Sequence, residues 1–275
     1  MCSILKISSR SYYKWKNRAI SKKALKKHQL KQKIQTLYFE FKQRYGSPRI
    51  TAELHALGYQ ISRVTVAKYM KELGLKSKLS KKFKITTDSK HNYLIVDNVL
   101  NRKFKTNEPS KAWVSDITYI QTKEGFVYLT TIIDLYDRKL IGWSLSDTMS
   151  ADDTSLAAWR MAIKNRPIKK DLIFHSDQGV QYATKKFANT LESYSVIRSM
   201  SRKGNCWDNA VAESFFKSLK TELIYGNKLK SKQQMKLALF EYIEIWYNKK
   251  RRHRTLNYKT IEEFNNLNLT YKNVA

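Results

Sequence analysis

The sequence predicts an α/β core on a mixed five-stranded sheet with flanking helices, preceded by an all-α domain with a helix-turn-helix. Three observations carry this expectation. The first third of the chain is strongly basic and places apolar residues at helical spacing between Ser and Gly breaks. From Ala112 the pattern changes to strand-like runs joined by short turns. From Asp152 helix-like and strand-like segments alternate. The expected boundaries are a basic helical region at 1–75 with the helix-turn-helix at about 47–74, a basic linker at 76–108, a core domain at 109–265 and a tail at 266–275.

Each element has a local cause. Leu25, Leu30, Ile34, Leu37, Phe41 and Tyr45 recur with lysines between them and predict a helix over 22–45. Gly46-Ser47-Pro48 ends it, with Ser47 a cap and Pro48 suited to the first helical position. Ile50, Leu54 and Leu57 carry the next helix to Gly58. Ser62 is a second cap, Val64, Val66, Ala67, Met70 and Leu73 follow, and Gly74 is the stop. Two short helices and a tight turn fit a helix-turn-helix whose second helix exposes Arg63, Thr65, Lys68 and Lys71 to DNA. KSKLSKKFK then reads as a linker or a DNA-tracking arm.

In the core, strands are expected at 113–122, 126–135 and 138–146, an antiparallel meander. A helix follows from Asp152 to Asn165, then a strand at 172–176, a helix capped by Thr184, a strand at 196–200, and helices at about 208–225 and 231–247. Three strands, helix, strand, helix, strand, helix is the order of the ribonuclease H-like fold.

Charge and composition narrow the function. The 275 residues carry a formal charge of +30, and 42% are hydrophobic, enough for a real core. Residues 1–50 hold 14 Lys or Arg against a single acid, Glu40, while 101–150 are nearly balanced. A nucleic-acid partner is expected, with phosphates met mainly by the N-terminal third. No apolar run reaches the roughly 18 residues of a membrane span. The opening residues lack a secretory signal, and only Cys2 and Cys206 are present, so an intracellular, cytoplasmic and nucleoid-associated protein is expected.

Asp116, Asp177 and Glu213 carry the chemistry. Asp116 lies in a strand, Asp177 follows the fourth strand at its C-terminal end, and 35 residues separate it from Glu213 on a helix. Three carboxylates from separate elements make an oxygen-rich site for hard divalent cations. Val211, Phe215, Leu219 and Leu223 form the apolar stripe of that helix, which puts Glu213, Lys217 and Lys220 on another face. Asp134 and Asp137 are expected to shape a turn, Asp152 to cap a helix and Asp208 to sit in a first helical turn. His175 reads equally as a site residue or as packing, and Gln178, Gly179 and Asn209 are lesser candidates for positioning DNA.

At these residues the chain resembles the OrfB-type transposases of bacterial insertion sequences, with a retroviral-integrase-like catalytic core. The motifs are DNVLNRKF at 97–104, AWVSDITYI at 112–120, IIDLYDRKLIGW at 132–143, HSDQGVQY at 175–182, SRKGNCWDNAVAESFFKSLK at 201–220 and YNKKRRHRTLNY at 247–258. The resemblance implies a DDE polynucleotidyl transferase with Asp116, Asp177 and Glu213 as metal ligands, two Mg²⁺ ions with Mn²⁺ as a substitute, and Lys220 near DNA. Arg251 and Arg252, in the last motif, are further candidate DNA contacts. The implied partners are double-stranded transposon ends and target, an OrfA product or fusion with it, and further copies of the chain. The motif at 256–258 departs from the family's Leu-Gly-Tyr by placing Asn257 at its centre. Two rival readings are a non-catalytic DNA-binding regulator or inactive transposase, and a plain nuclease of the same fold.

Overall fold

A computed structural model describes residues 2, 4–17, 19, 21–78 and 94–274, with backbone alone at 206 and 269–274. The chain divides into two compact units, Met1–Lys78 and Leu79–Ala275.

The first unit is helical: α1 (Ser9–Lys16), α2 (Lys22–Glu40), α3 (Ser47–Ala56) and α4 (Arg63–Glu72). Its core is Ile34 and Leu37 of α2, Ile50 and Leu54 of α3, and Val66 and Met70 of α4, joined by Tyr45 from the loop after α2, which ends at Glu40 rather than at the expected residue 45. Ser62 caps α4 as expected, its Oγ accepting from the Thr65 amide at 3.2 Å. Gly46, not Ser47, is the cap residue of α3, because Ser47 already has helical geometry. Glu72 at the end of α4 pairs with Lys27 and Lys31 of α2 at 3.0 and 2.7 Å. Val64 leaves the apolar pattern: it is 79% exposed beside Arg63 on the outer face of α4.

The second unit holds β1 (Ala112–Thr122), β2 (Gly125–Asp134), β3 (Leu140–Ser146), α5 (Ala157–Asn165), β4 (Ile173–Ser176), α6 (Val180–Ala183), α7 (Lys185–Ser193), β5 (Ile197–Met200), α8 (Ala210–Leu219), α9 (Lys232–Phe240) and α10 (Ile261–Val274). The sheet order is β3-β2-β1-β4-β5, with β1–β2–β3 antiparallel and β4 and β5 parallel to β1. This is the ribonuclease H-like arrangement. Trp113, Trp159, Phe174 and Phe187 stack through the core between sheet and helices, with ring centroids 5.4–5.6 Å apart. Gly142 lets α5 lie directly on β3, since a Cβ there would run into the Ala158 carbonyl and Ala162. Asn248 bonds both the amide and the carbonyl of Leu140, at 3.0 and 2.9 Å, and so acts as a strand partner at the edge.

Three helices have wide, π-type turns where the sequence predicts continuous α-helix: Asp152–Leu156, Lys220–Ile224 and Glu241–Lys250. Two expected boundaries also move. Residues 97–104 belong to the core unit: Leu100 is buried, its amide donates to Ser199 at 3.1 Å, and Arg102 pairs with Asp208. The expected tail from 266 lies within α10. The basic arm of 76–84 falls, from residue 79 onward, outside the described residues.

Candidate functional site

Strand register builds the centre of the site. Ala112, Trp113 and Val114 pair in parallel with Ile173, Phe174 and His175. Carried two residues further, that register brings Asp116 level with Asp177. The Asp116 carboxylate accepts from the Ile117 amide at 2.8 Å, and the Asp177 carboxylate from the Gly179 amide at 3.0 Å. Gly179 therefore holds Asp177, and a Cβ at Gly179 would press on the same carboxylate oxygen. The turn Cys206–Asn209 then leads into α8, which packs on β1 and β2 and carries Glu213 in its first turn. Asn209 fixes this entry: it is buried, and its amide donates to the Ser115 carbonyl at 2.9 Å, one residue before Asp116.

The three carboxyls act on one another electrostatically. Burial, then the charge of Asp177 and further that of Glu213, push the Asp116 carboxyl well above its ordinary range, against the Ile117 hydrogen bond. Burial and Asp177 likewise raise Glu213. Burial lowers Lys220, opposed by the charge of Asp116, and its ammonium lies 5.4 Å from the Tyr119 ring centre. Burial and the charges of Asp116 and Asp177 raise the Tyr182 hydroxyl, which is 2.7 Å from Ser115 Oγ beneath the site. Mutual repulsion among oxygen donors is what a divalent cation relieves, so the donor chemistry fits Mg²⁺. Among the described residues, no group of three His, Cys, Asp or Glu side chains is arranged to hold a metal ion.

The other predicted residues divide. Lys217 is exposed one turn beyond Glu213. Arg63, Lys68 and Lys71 are exposed on α4 of the first unit, and Thr65 is engaged with Ser62, hydroxyl to hydroxyl, at 2.9 Å. The expectation for Arg251 and Arg252 is corrected. Arg251 is buried and bonds Glu222 at 2.9 and 3.1 Å, while Arg252 is buried against Glu263 at 3.0 Å and the Tyr258 carbonyl. Arg251 holds a buried carboxylate and Arg252 an exposed one at the surface, and both guanidiniums are themselves buried and paired rather than offered to DNA. His175 resolves to packing, 2.8 and 3.1 Å from the Ser199 and Ser201 hydroxyls, with burial lowering it to about 4. Gln178 donates to the Ser201 carbonyl at 3.0 Å. Asp134 and Asp137 shape the β2–β3 turn as expected, accepting from the Tyr136 and Lys139 amides. Asp152 is no cap; it pairs with Lys186. Asp208 lies in the turn before α8 and is clamped by Arg102 and Arg202.

Comparison with known proteins decides the family. Models described as "Integrase core domain" match residues 106–206 and 213–269, and one described as "HTH-like domain" matches 25–83. The transposase InsF of insertion sequence IS3A from Escherichia coli K12 is 38% identical over 98% of this chain and 94% of its own. A 31 kDa protein of insertion element IS600 from Shigella sonnei is 35% identical over 93% and 94%. The chain belongs to the IS3-family transposases. Its function is DNA transposition, through an integrase core and a helix-turn-helix-like domain of the kinds that act on DNA. The core belongs to a metal-dependent polynucleotidyl transferase family. Among solved structures, a simian T-cell lymphotropic virus intasome chain is similar at TM-score 0.47 and 15% identity, covering 84% of this chain and 73% of that one. The HTLV-2 integrase catalytic core in complex with magnesium is similar at TM-score 0.42 and 17% identity, covering 57% and 96%. Among the described residues no helix is long and apolar enough to cross a membrane.

Proposed function

We propose that Asp116, Asp177 and Glu213 are the DDE triad of this transposase, cutting the ends of its element and joining them to target DNA. The observation that supports the reading is the placement of Asp116 on β1, Asp177 just past the paired β4, and Glu213 on α8 packed against β1, in a strongly basic chain. The triad would hold two Mg²⁺ ions, with Mn²⁺ as a substitute, and these supply charge stabilisation at the attacking and leaving oxygens of an in-line displacement. The chain's own part is position. The Ile117 and Gly179 amides orient Asp116 and Asp177, Asn209 anchors the start of α8 on β1, and Lys220, leaning on Tyr119, offers a cation to a phosphate beside Asp116.

Water attacks the first phosphodiester and breaks its P–O3′ bond, leaving a 5′-phosphate on one side and a free 3′-hydroxyl on the other. That hydroxyl then attacks a target phosphodiester, forming a new P–O bond as the target strand's own 3′-oxygen leaves as a hydroxyl. Neither step needs a bond between protein and DNA. Lys217 on α8 and Arg63, Lys68 and Lys71 on α4 are proposed to contact phosphates or bases. Work on two ends calls for more than one copy, and an OrfA product, separate or fused, is the proposed partner for end recognition.

Labelled element-end duplexes in Mg²⁺ test this. Cleaved and strand-transferred products are expected from the wild type, and a loss of about 10³-fold from Asp177→Asn with duplex affinity kept. Equal product from both proteins would refute the triad. Cleavage without joining would leave a nuclease. Binding without products, even from the OrfA fusion, would leave a regulator.

A further inference from the structure

Trp207 lies in the turn Cys206–Asn209, six residues before Glu213. It is 69% exposed, whereas Trp113, Trp159 and Trp246 of the same unit are buried and Trp143 donates to Glu244 at 2.7 Å. An indole is a large apolar surface with one polar edge, costly to leave in water without a partner to cover it. Among the described residues it has neither a hydrogen-bond nor a ring partner.

The backbone beneath it is firmly held. Asp208 is fully buried and accepts from Arg102 Nε at 2.7 Å, from Arg202 Nε and Nη2 at 2.8 Å each, and from the Arg202 amide at 3.1 Å. Asn209 is tied to β1 through the Ser115 carbonyl. Trp207 therefore lies in a turn that Asn209 ties to the strand residue before Asp116 and that leads directly into the helix carrying Glu213. An anchored backbone under an uncovered ring has little conformational freedom to lose on binding. The surroundings are cationic, with Arg202 and Lys203 exposed in the same loop and Lys217 on α8, which suits a polyanion better than an apolar protein surface.

We propose that Trp207 stacks on a nucleobase adjoining the phosphodiester that is cut; this rests on the reading of the carboxylate site as a DNA-cleaving one. A phosphate brought among carboxylates is drawn away from the regular duplex, and the neighbouring base loses a stacking partner. The indole face replaces it. Because every base has a π-face, Trp207 gives position rather than sequence choice.

The test places 2-aminopurine, a base whose fluorescence reports stacking, at successive positions across the element end. Binding to the full chain is followed by anisotropy. Wild type and Asp177→Asn are expected to change the probe's emission at one or two positions beside the cleavage site. With the duplex kept saturated, Trp207→Ala should abolish that change and weaken duplex binding about fivefold or more, and Trp207→Phe should retain most of both. Cleavage by Trp207→Ala should fall about 10- to 100-fold, with partial recovery in Trp207→Phe. The exposed side chain supports no core, so circular dichroism of both variants should match wild type. An identical probe response in Trp207→Ala, or bound wild type with no response at any position, overturns the proposal. The probe reads stacking in a protein that does not cut. A response without cleavage therefore refutes the catalytic reading alone, and cleavage without a response refutes this one alone.

Discussion

Two regions of the core unit gather carboxylates, and they treat them in opposite ways. At the β2–β3 turn, Asp134 and Asp137 are fully buried, and Arg166 reaches both at 2.7 Å. Asp134 also accepts from the Trp113 indole and the Ser110 amide, and Asp137 from Asn265. At the β1–β4–α8 junction, Asp116 and Glu213 have no ion pair among the described residues, and each is pushed toward its protonated form. A compensated carboxylate contributes to the fold; a carboxylate left in repulsion with its neighbours is held for something not in the chain. The difference separates the structural acids from Asp116 and Glu213 without reference to motif.

The largest expected effect breaks or makes this contrast. Asp116→Asn should lower DNA cleavage by about 10³-fold, an activation cost of about 4 kcal/mol. In metal-free buffer it should leave the melting temperature unchanged or raised, because it removes a charge the fold repels. Millimolar Mg²⁺ should raise the melting temperature of wild type and not of the variant. A variant that melts earlier without metal would place Asp116 with the structural acids.

Next in size is Arg251→Met. It leaves Glu222, a buried carboxylate that also accepts from the Tyr242 hydroxyl at 2.9 Å and the Trp246 indole at 3.0 Å, without its guanidinium. Breaking a buried pair from one side costs about 3–5 kcal/mol, measurable by urea unfolding. The salt dependence of DNA binding should stay the same, whereas Lys217→Ala should reduce its slope. A shallower slope for Arg251→Met would return this residue to the DNA surface.

Acid titration sharpens the contrast further, because the two regions should slope in opposite directions. Burial raises the Asp137 carboxyl, but the Arg166 hydrogen bond and charge more than reverse that, so it lies below its ordinary value. Its contribution to stability is present above the unfolded value near 3.9 and is lost as pH falls through the folded one. Asp116 is raised, so its folded form holds the proton more tightly than the unfolded chain. The stability it lends is present at low pH and is lost as pH rises through its raised value. Without metal, Asp137→Asn should flatten the acid limb of the stability profile, and Asp116→Asn the fall that sets in as pH rises above the unfolded carboxyl value. Equal effects on one limb would erase the distinction.

What the sequence made legible follows the range of the interactions. The triad's elements and the Ser62 and Thr184 caps rest on spacing within a few residues, and each is visible in a short window. Arg251 and Glu222 are 29 residues apart, and the basic run around Arg251 looks like a surface patch until the fold brings its acid to it. DNVLNRKF is polar enough to pass for a linker, yet Leu100 and Arg102 find Ser199 and Asp208 about a hundred residues away. The wide turn at Lys220–Ile224 changes the helical period under an apolar stripe that reads as regular. Trp207 gives no sign of its exposure in sequence, since a tryptophan in a loop is as often buried.

The smallest effect concerns the one motif that departs from the family. Asn257 has φ +53° and Tyr258 φ +59°, and the 3₁₀ turn Arg254–Leu256 ends in this left-handed pair. Asparagine tolerates that conformation better than other residues with a Cβ, which is why the turn still closes, His253 and Lys259 bridging across it. Asn257→Gly removes the remaining steric penalty but loosens the unfolded chain, and the two oppose each other. The expected outcome is a stability change within about 0.5 kcal/mol and no change in cleavage, by urea unfolding and the element-end assay. A loss of activity would mean that the turn, which Arg252 braces through the Tyr258 carbonyl at 3.0 Å, does more than close the chain.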